Sequence, residues 1–253
     1  MNKQERSTIW KGAGIILLWA LAIILRGPNW GVRADEASHR PEKFKNTVTG
    51  AFLGGLRPTV ANLTWVQVYG HWERHDPAAL EQAVGWVLRL APENRLFWVQ
   101  SARMFAYDVP RWEARAALGP GFHPPEAVQP FRLAGARRAL LYLDEAVAFF
   151  PEDPVLEVER ALLHLNVTGD LAAAAAAFRA AWEAPGGPYF AARLHGELLR
   201  RLGRAGEALA WYEALLPQLP EDAPAAQRET VRLRIAELRA SGSNARGPDS
   251  GEN

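Results

Sequence analysis

The sequence predicts an all-α fold in which helical hairpins stack one after another into an array. Three observations predict it. Two consecutive segments of the C-terminal half match each other at an offset of 34 residues, and a fixed period of this length is typical of repeat architectures. Apolar residues recur at three- and four-residue steps along most of the chain, which is the spacing of amphipathic helices. Prolines stand between these periodic segments, where helices begin or end.

The clearest repeat is the stretch Leu171–Pro220 compared with the segment just before it. The positions that match across the offset are Leu165 and Leu199, Gly169 and Gly203, Ala174 and Ala208, Phe178 and Tyr212, and Ala181 and Leu215. Small residues such as Gly196 and Ala208 allow two helices to approach closely, and Tyr212 is expected to fill the space that they leave. Proline cannot continue the hydrogen-bond ladder of a helix, so Pro220 should end the last helix of this segment.

This pattern resembles the tetratricopeptide repeat (TPR), a helix–turn–helix unit of about 34 residues. A second sign of a similar period lies in the N-terminal half, where the tripeptide Trp65–Gln67 recurs as Trp98–Gln100. The resemblance implies a TPR-like α-solenoid of about four units with a capping helix, in a membrane-anchored protein of the bacterial type. It also implies a concave surface, formed by the first helices of successive units, that binds peptides or partner helices.

The first 28 residues predict a membrane anchor. A short basic head precedes an apolar run from Gly12 to Leu25, and the three residues before this run extend the segment to 9–25. Its length meets the lower limit of about 17 residues for a transmembrane helix that crosses a bilayer core of roughly 30 Å. A signal peptide cleaved after Ala34 and a buried helix are the alternatives.

Basic residues before the apolar segment favour a cytoplasmic N-terminus. They are Lys3, Arg6 and Lys11, and they are opposed by Arg26 and Arg33 on the other side of the segment. The expected location is therefore the bacterial inner membrane, as a single-pass protein whose body lies on the periplasmic, extracytoplasmic side.

The first repeat unit follows a polar segment over 29–50, which is predicted to be a tether between anchor and body. Its first helix is predicted over Pro58–Arg74, because the Gly54–Gly55 pair interrupts the chain before it. Its second helix is predicted over Pro77–Leu90, with Asp76 as the capping residue.

The second unit is irregular. Its first helix is predicted over Asn94–Tyr107 and its second helix from about Phe131 onward. Five prolines between them predict an insertion over 108–130, in which Trp112–Leu118 could form a short helix. Insertions in repeat arrays often contact a partner, and a lengthened loop without a role is the alternative.

The third and fourth units are predicted over Pro154–Pro185 and Pro188–Pro220. A further amphipathic helix, with Val231 and Leu238 among its apolar members, is expected to cap the open end of the array. The body then covers 51–240, and the remaining residues, 241–253, are predicted to be a disordered tail.

No arrangement of catalytic residues is recognisable, so we expect neither an enzyme nor a cofactor nor a small-molecule substrate. The chain contains no cysteine, which excludes thiol catalysis and thiolate metal sites. His71 and His75 stand one helical turn apart, but no third ligand is evident, so no metal site is predicted. A net charge of +1 gives no indication of a nucleic-acid partner.

Partner binding is expected at two sets of side chains. Carried over by position from the TPR resemblance, the groove is lined by Gln67, Gln100, Arg103, Arg160, Asn166, Arg193, Glu197 and Arg200. Arginines in such a groove suit carboxylates, and the alternative is that these residues are only the polar sides of amphipathic helices. The second set comprises aromatic residues of the early repeats and the insertion: Trp65, Trp72, Trp98 and Trp112.

The function expected from these features is that of a membrane-tethered scaffold or adaptor. It would bind one or more membrane-associated protein partners and assemble a complex at the membrane, which a repeat array suits because each unit adds surface. The alternative is an accessory subunit built permanently into a membrane enzyme, transporter or secretion complex. In that case the segment over 51–72 would be buried against the partner instead of within its own core.

Overall fold

The computed structural model describes the backbone of residues 48–244 and the side chains of residues 56–241. Every regular element in this part of the chain is helical, which confirms the predicted all-α class. The predicted anchor over 1–28 and most of the predicted tether lie outside the described residues. The compact unit that forms the body begins at Leu53.

Helix α1 extends over Val48–Glu73 and helix α2 over Pro77–Leu90. The predicted start of the first helix at Pro58 is wrong, because the helix continues through this proline, at the cost of one hydrogen bond of the ladder. The last residues of the predicted tether are therefore helical. The predicted bounds and cap of α2 are confirmed, since the Ala79 N–H donates to Asp76 Oδ1 at 3.1 Å.

The second pair of helices is longer than predicted. Its first arm runs without a break through α3 (Arg95–Arg103), a π turn (Met104–Asp108) and α4 (Val109–Leu118). Its second arm is α5 (Pro125–Val147). The residues of the predicted insertion over 108–130 lengthen both arms of the hairpin, and the short helix predicted over Trp112–Leu118 is part of α4.

The prolines permit this arrangement because of where they stand. Pro110 lies in the first turn of α4, directly after the π turn, and Pro125 is the first residue of α5, where the ladder requires no N–H. Pro130 lies inside α5 and removes one bond. The two arms approach so closely that a Cβ on Gly135 would lie 2.4 Å from the carbonyl oxygen of Phe105.

Four further helices occupy the segments predicted as the third and fourth units. They are α6 (Pro154–Leu163, followed by a π turn over His164–Thr168), α7 (Leu171–Glu183), α8 (Tyr189–Arg201) and α9 (Ala205–Leu215, followed by 3-10 turns over Leu216–Gln218 and Pro224–Ala226). The predicted end of the last of these at Pro220 is wrong. The α-helix ends at Leu215, and Pro217 stands in the 3-10 turn that follows.

The close approach of α8 and α9 depends on Gly196. A Cβ at this position would lie 2.5 Å from the ring of Tyr212. Tyr212 is buried, its hydroxyl donates to the Arg193 carbonyl oxygen at 3.1 Å, and burial raises the pKa of the phenol to about 12. The predicted pairing of a small residue with Tyr212 is confirmed.

Helix α10 extends over Arg228–Asn244 and covers α9. It packs through Val231, Ile235 and Leu238, as predicted for a capping helix. Because α10 continues to Asn244, the prediction that disorder starts at residue 241 is wrong, and the rest of the predicted tail lies outside the described residues.

The buried residues form three clusters that follow one another along the chain. The largest involves α1–α6, with Leu80, Phe105 and Leu143 among its fully buried members. The second joins α6–α8 around Phe178, and the third joins α8–α10 around Tyr212. Packing is therefore mainly local, between helices that are close neighbours in the sequence.

Candidate partner-binding surfaces

Two of the predicted groove arginines hold helices together. Arg103 on α3 forms a two-pronged ion pair with Glu159 on α6, and the distance from Arg103 Nε to Glu159 Oε2 is 3.0 Å. Glu159 is only 7% exposed, so the guanidinium is the main compensation for a buried charge. Arg160 on α6 lies 2.8 Å from Asp144 on α5. These donors are already used within the chain.

The groove residues of α8 are engaged in the same way. Arg193 Nη1 donates to the carbonyl oxygen of Ala225 at 2.9 Å, which ties α8 to the segment before α10. Arg200 pairs with Glu197 on the same helix, with 3.0 Å between Nε and Oε2. Arg193 is thus held by backbone carbonyl groups through Nη1, and Arg200 is held by the Glu197 carboxylate through Nε and Nη2.

The remaining predicted groove residues do not converge with them. Gln67 and Asn166 are exposed, and the Asn166 carbonyl oxygen accepts a bond from Arg132 Nη2 at 2.8 Å. Gln100 shares a cavity of about 650 Å³ with Arg103. Arg193 and Glu197 line a separate cavity of about 240 Å³, so the described residues divide the predicted groove between two places.

Two of the four predicted partner-binding tryptophans belong to the core. Trp65 packs against Phe97 with 4.7 Å between ring centroids, and Trp98 is 3% exposed. The Trp98 indole N–H donates to the Pro92 carbonyl oxygen at 2.8 Å. The rings of Trp65 and Trp98, which were predicted to contact a partner, fill the space between α1, α2 and α3.

The other two tryptophans, Trp72 and Trp112, meet at the end of α1. Their ring centroids are 6.2 Å apart in an edge-to-face arrangement, and the Trp72 indole N–H donates to Asp108 Oδ2 at 2.9 Å. The His75 ring stacks on Trp112 at 4.8 Å. Both tryptophans are half-buried and line a cavity of about 1050 Å³.

This cavity, which we call the basic cavity, is built by the lengthened hairpin. It lies around α4 and reaches from the end of α1 to the first half of α5. Its basic side chains are Arg111, Arg115, Arg132, His75 and His123, and Asp108 is the one carboxylate among the residues that line it. The sequence predicted Trp112 of this cavity as a partner-binding residue but none of the arginines, because the contact between α4 and α5 is not visible in a single sequence.

A second surface was missed altogether. The solvent-facing side of α1 carries Leu56, Leu63, Val66 and Tyr69, and Leu63 and Val66 are 59% and 68% exposed. We call these four residues the apolar face of α1. The opposite side of the helix, with Ala61, Trp65 and Val68, is buried in the core. Helix α1 is thus apolar on two sides, and only one side is covered by the described part of the chain.

The signal for this face was present in the sequence. No charged residue occurs over 58–70, a stretch long enough for more than three helical turns. Leu63 and Trp65 are both apolar, and residues at i and i+2 lie on different sides of a helix. A helix that is apolar all round is normally buried.

The two histidines that stand one turn apart are engaged separately. His71 Nδ1 lies 3.1 Å from Arg74 Nη2, whereas His75 stacks on Trp112. No group of three or more potential metal ligands occurs among the residues that the structure describes. None of the described helices has the length and apolar character that crossing a membrane requires, and the predicted anchor over 9–25 lies outside this part of the chain.

Comparisons with known proteins leave the relationship of the chain open. No family model, no curated protein and no solved structure matches it.

Proposed function

We propose that this protein is a membrane-tethered TPR-type adaptor that binds a partner protein through the apolar face of α1. The observation that carries the proposal is a first helix that presents four apolar side chains to solvent and has no charged residue over 58–70. A terminal helix of a repeat array normally has a polar outer face, because nothing stacks on it. An uncovered apolar face at this position calls for a further element, supplied by another protein.

Burial of this face would stabilise a complex substantially. A fully buried large apolar side chain contributes roughly 1.5–3 kcal/mol, so each half-exposed member contributes about 1 kcal/mol. The face is one helix wide, which suits an amphipathic helix of the partner that packs along α1 as one more element of the array.

The composition of the face favours a protein partner over a lipid surface. Thr59 and Asn62 lie among the apolar residues and are exposed, and they can bond with the polar groups of a facing helix. An interfacial membrane helix typically has lysine and arginine along its sides, whereas α1 has no basic residue between Arg57 and His71.

The tether to the membrane is proposed from the sequence. The apolar segment over 9–25 has the minimum length for a transmembrane helix, and the basic residues before it favour a body outside the cytoplasm. In a bacterium this protein would therefore lie at the periplasmic face of the inner membrane. The adaptor would then recruit or retain its partner close to the bilayer.

Site-specific photocrosslinking in native membranes tests this proposal. With a photoreactive amino acid in place of Val66 in the full chain, we expect a crosslinked protein of defined mass, which disappears when Leu63→Arg is added. The same photoreactive residue in place of Arg232, on the exposed side of α10, serves as the matched control and should give no such product. Products that persist with Leu63→Arg, or that contain only lipid, would contradict the proposal.

The continuity of the apolar face also supports a second function, that of a permanent subunit of a membrane complex. A subunit whose apolar face is always covered by a partner need not be soluble without that partner. Gentle detergent extraction separates the two possibilities. An adaptor should be recovered partly as a free, folded chain, whereas a permanent subunit should be recovered only with its partner or as aggregate.

A further inference from the structure

The basic cavity contains guanidinium groups without acidic partners. Arg111 and Arg115 lie one turn apart on α4, are exposed, and take part in no ion pair or hydrogen bond of their side chains within the described residues. In contrast, the arginines of the predicted groove have acidic or carbonyl partners. Like charges one helical turn apart repel each other, so an anion between them would relieve an unfavourable arrangement.

A third guanidinium faces the same cavity from α5. Arg132 Nη2 donates to the Asn166 carbonyl oxygen at 2.8 Å, which fixes the side chain in place and leaves its other N–H groups available. The cavity therefore presents arginines from two different helices, held by a hairpin whose arms are tightly packed at Gly135.

The carboxylates near the cavity do not neutralise these arginines. Asp108 accepts the indole N–H of Trp72 at 2.9 Å. Glu113 lies on α4 but pairs with Arg138 at 2.8 Å and is not among the residues that line the cavity. With three arginines and one carboxylate among the residues that line it, the cavity has an excess of positive charge.

Apolar groups complete the site. Trp112 offers an aromatic wall between the basic residues. Phe122, in the link between α4 and α5, is 91% exposed and is flanked by Gly121 and His123, which both line the cavity. An exposed phenylalanine beside a cavity can pack against an apolar side chain of a bound ligand.

We propose that the basic cavity binds an acidic, extended peptide segment of a partner protein. Carboxylates at alternate positions of an extended chain lie about 6.6 Å apart, close to the separation of about 5–6 Å between side chains one turn apart on a helix. An Asp/Glu-x-Asp/Glu sequence can therefore pair with Arg111 and Arg115 at once, and a third carboxylate can reach Arg132. Arginine forms two parallel bonds to a carboxylate, and the volume of about 1050 Å³ accommodates several residues.

Peptide binding to the full-length protein in phosphatidylcholine nanodiscs tests this assignment. The probe is a fluorescein-labelled peptide of about ten residues with glutamate at alternate positions and one phenylalanine. The reference probe has glutamine in place of each glutamate. We expect the acidic probe to bind at least about tenfold more tightly than the reference, and Arg111→Gln/Arg115→Gln to remove at least about tenfold of its affinity.

The matched control is Arg137→Gln/Arg201→Gln, which removes the same charge at two exposed arginines that have no described ion pair and do not line the cavity. This control should retain the affinity, and circular dichroism should show the same helix content for all variants. Equal binding of both probes, or equal loss in both double variants, would overturn the assignment.

Two further binding experiments distinguish an acidic peptide segment from other anions as the ligand. Inorganic phosphate should not displace the probe at concentrations that leave ionic strength nearly unchanged, and replacement of phosphatidylcholine by phosphatidylglycerol should not abolish probe binding. Displacement of the probe in either experiment would indicate a site for small anions or for lipid headgroups and would overturn the peptide assignment. Leu63→Arg should leave probe binding intact, so the outcome is independent of the test of α1.

Discussion

The first and the last of the described helices meet solvent in opposite ways. Helix α10 has an outer side of charged residues, in which Arg232 pairs with Glu229 at 3.2 Å and Arg234 pairs with Glu237 at 2.7 Å. Helix α1 exposes its apolar face instead. Both helices bury one apolar side. They differ in the opposite side, which is charged in α10 and apolar in α1.

The same contrast holds between the halves that these helices belong to. In α6–α10 the packing is regular, and the predicted groove arginines are bonded within the chain. In α1–α5 the hairpin is lengthened, and Arg111 and Arg115 have no described partner. The predicted groove arginines of α6–α10 are bonded within the chain, whereas α1–α5 carry the apolar face and the basic cavity that a partner could use.

The largest effect on stability is expected at Gly135, where the arms of the lengthened hairpin meet. In Gly135→Ala the new methyl would lie 2.3 Å from Pro110 Cγ and 2.4 Å from the Phe105 carbonyl oxygen. The backbone must move to make room for the methyl group, so we expect the free energy of unfolding, measured by urea denaturation, to fall by about 3 kcal/mol. Gly206→Ala, where the new methyl meets nothing within 4 Å, is the control and should be neutral or stabilising. An equal effect of both would show that the arms are not tightly packed.

A smaller effect is expected at the ion pair that joins the two halves. Arg103→Met leaves Glu159, which is 7% exposed, without its main partner. We expect a loss of about 2 kcal/mol in the free energy of unfolding, less than for a fully buried pair because Arg103 is half-exposed. Arg232→Met, on the outside of α10, removes a surface pair and should cost less than about 0.5 kcal/mol. Comparable losses would mean that Arg103 does not hold α3 to α6.

These comparisons explain what could be predicted from the sequence. Local signals were sufficient where the cause is local: Asp76 caps α2, and Gly196 makes room for Tyr212. The clustered prolines were a poor guide to where the helices end, because proline breaks the interior of a helix but fits its first turn. Only the fold shows that Pro110 and Pro125 stand in first turns.

The candidate site was harder to predict because its determinants are distant in sequence. Arg103 was taken as a free groove residue, but its partner Glu159 is 56 positions further along the chain. In the same way, periodicity shows that α1 is helical and apolar but not which of its sides is covered. Surface availability depends on tertiary partners, which single-sequence patterns do not contain.

A modest pH effect is expected in the regular half. Burial lowers the pKa of His195, whose Nδ1 lies 2.8 Å from the Ala175 carbonyl oxygen. The folded state thus favours the neutral imidazole of His195. The stability that this neutral ring contributes is complete above the ordinary histidine pKa of about 6.5, and it is lost as the pH falls below that value. The melting temperature should drop between pH 7 and pH 5, and less so in His195→Gln. An identical drop in the unchanged protein and in His195→Gln would exclude this role for His195.

The smallest effect on stability is expected at the apolar face of α1, and this result is the sharpest test of the contrast between α1 and α10. Leu63→Arg should change the free energy of unfolding by less than about 0.5 kcal/mol, because the side chain is 59% exposed. Leu233→Arg, at an exposed position of α10 (56%), should be equally neutral. The two variants should differ only in the photocrosslinking of the partner, which Leu63→Arg abolishes and Leu233→Arg leaves unchanged. If Leu63→Arg instead destabilised the isolated chain by several kcal/mol, the face would be covered by the chain itself, and α1 would be an inner helix of the array.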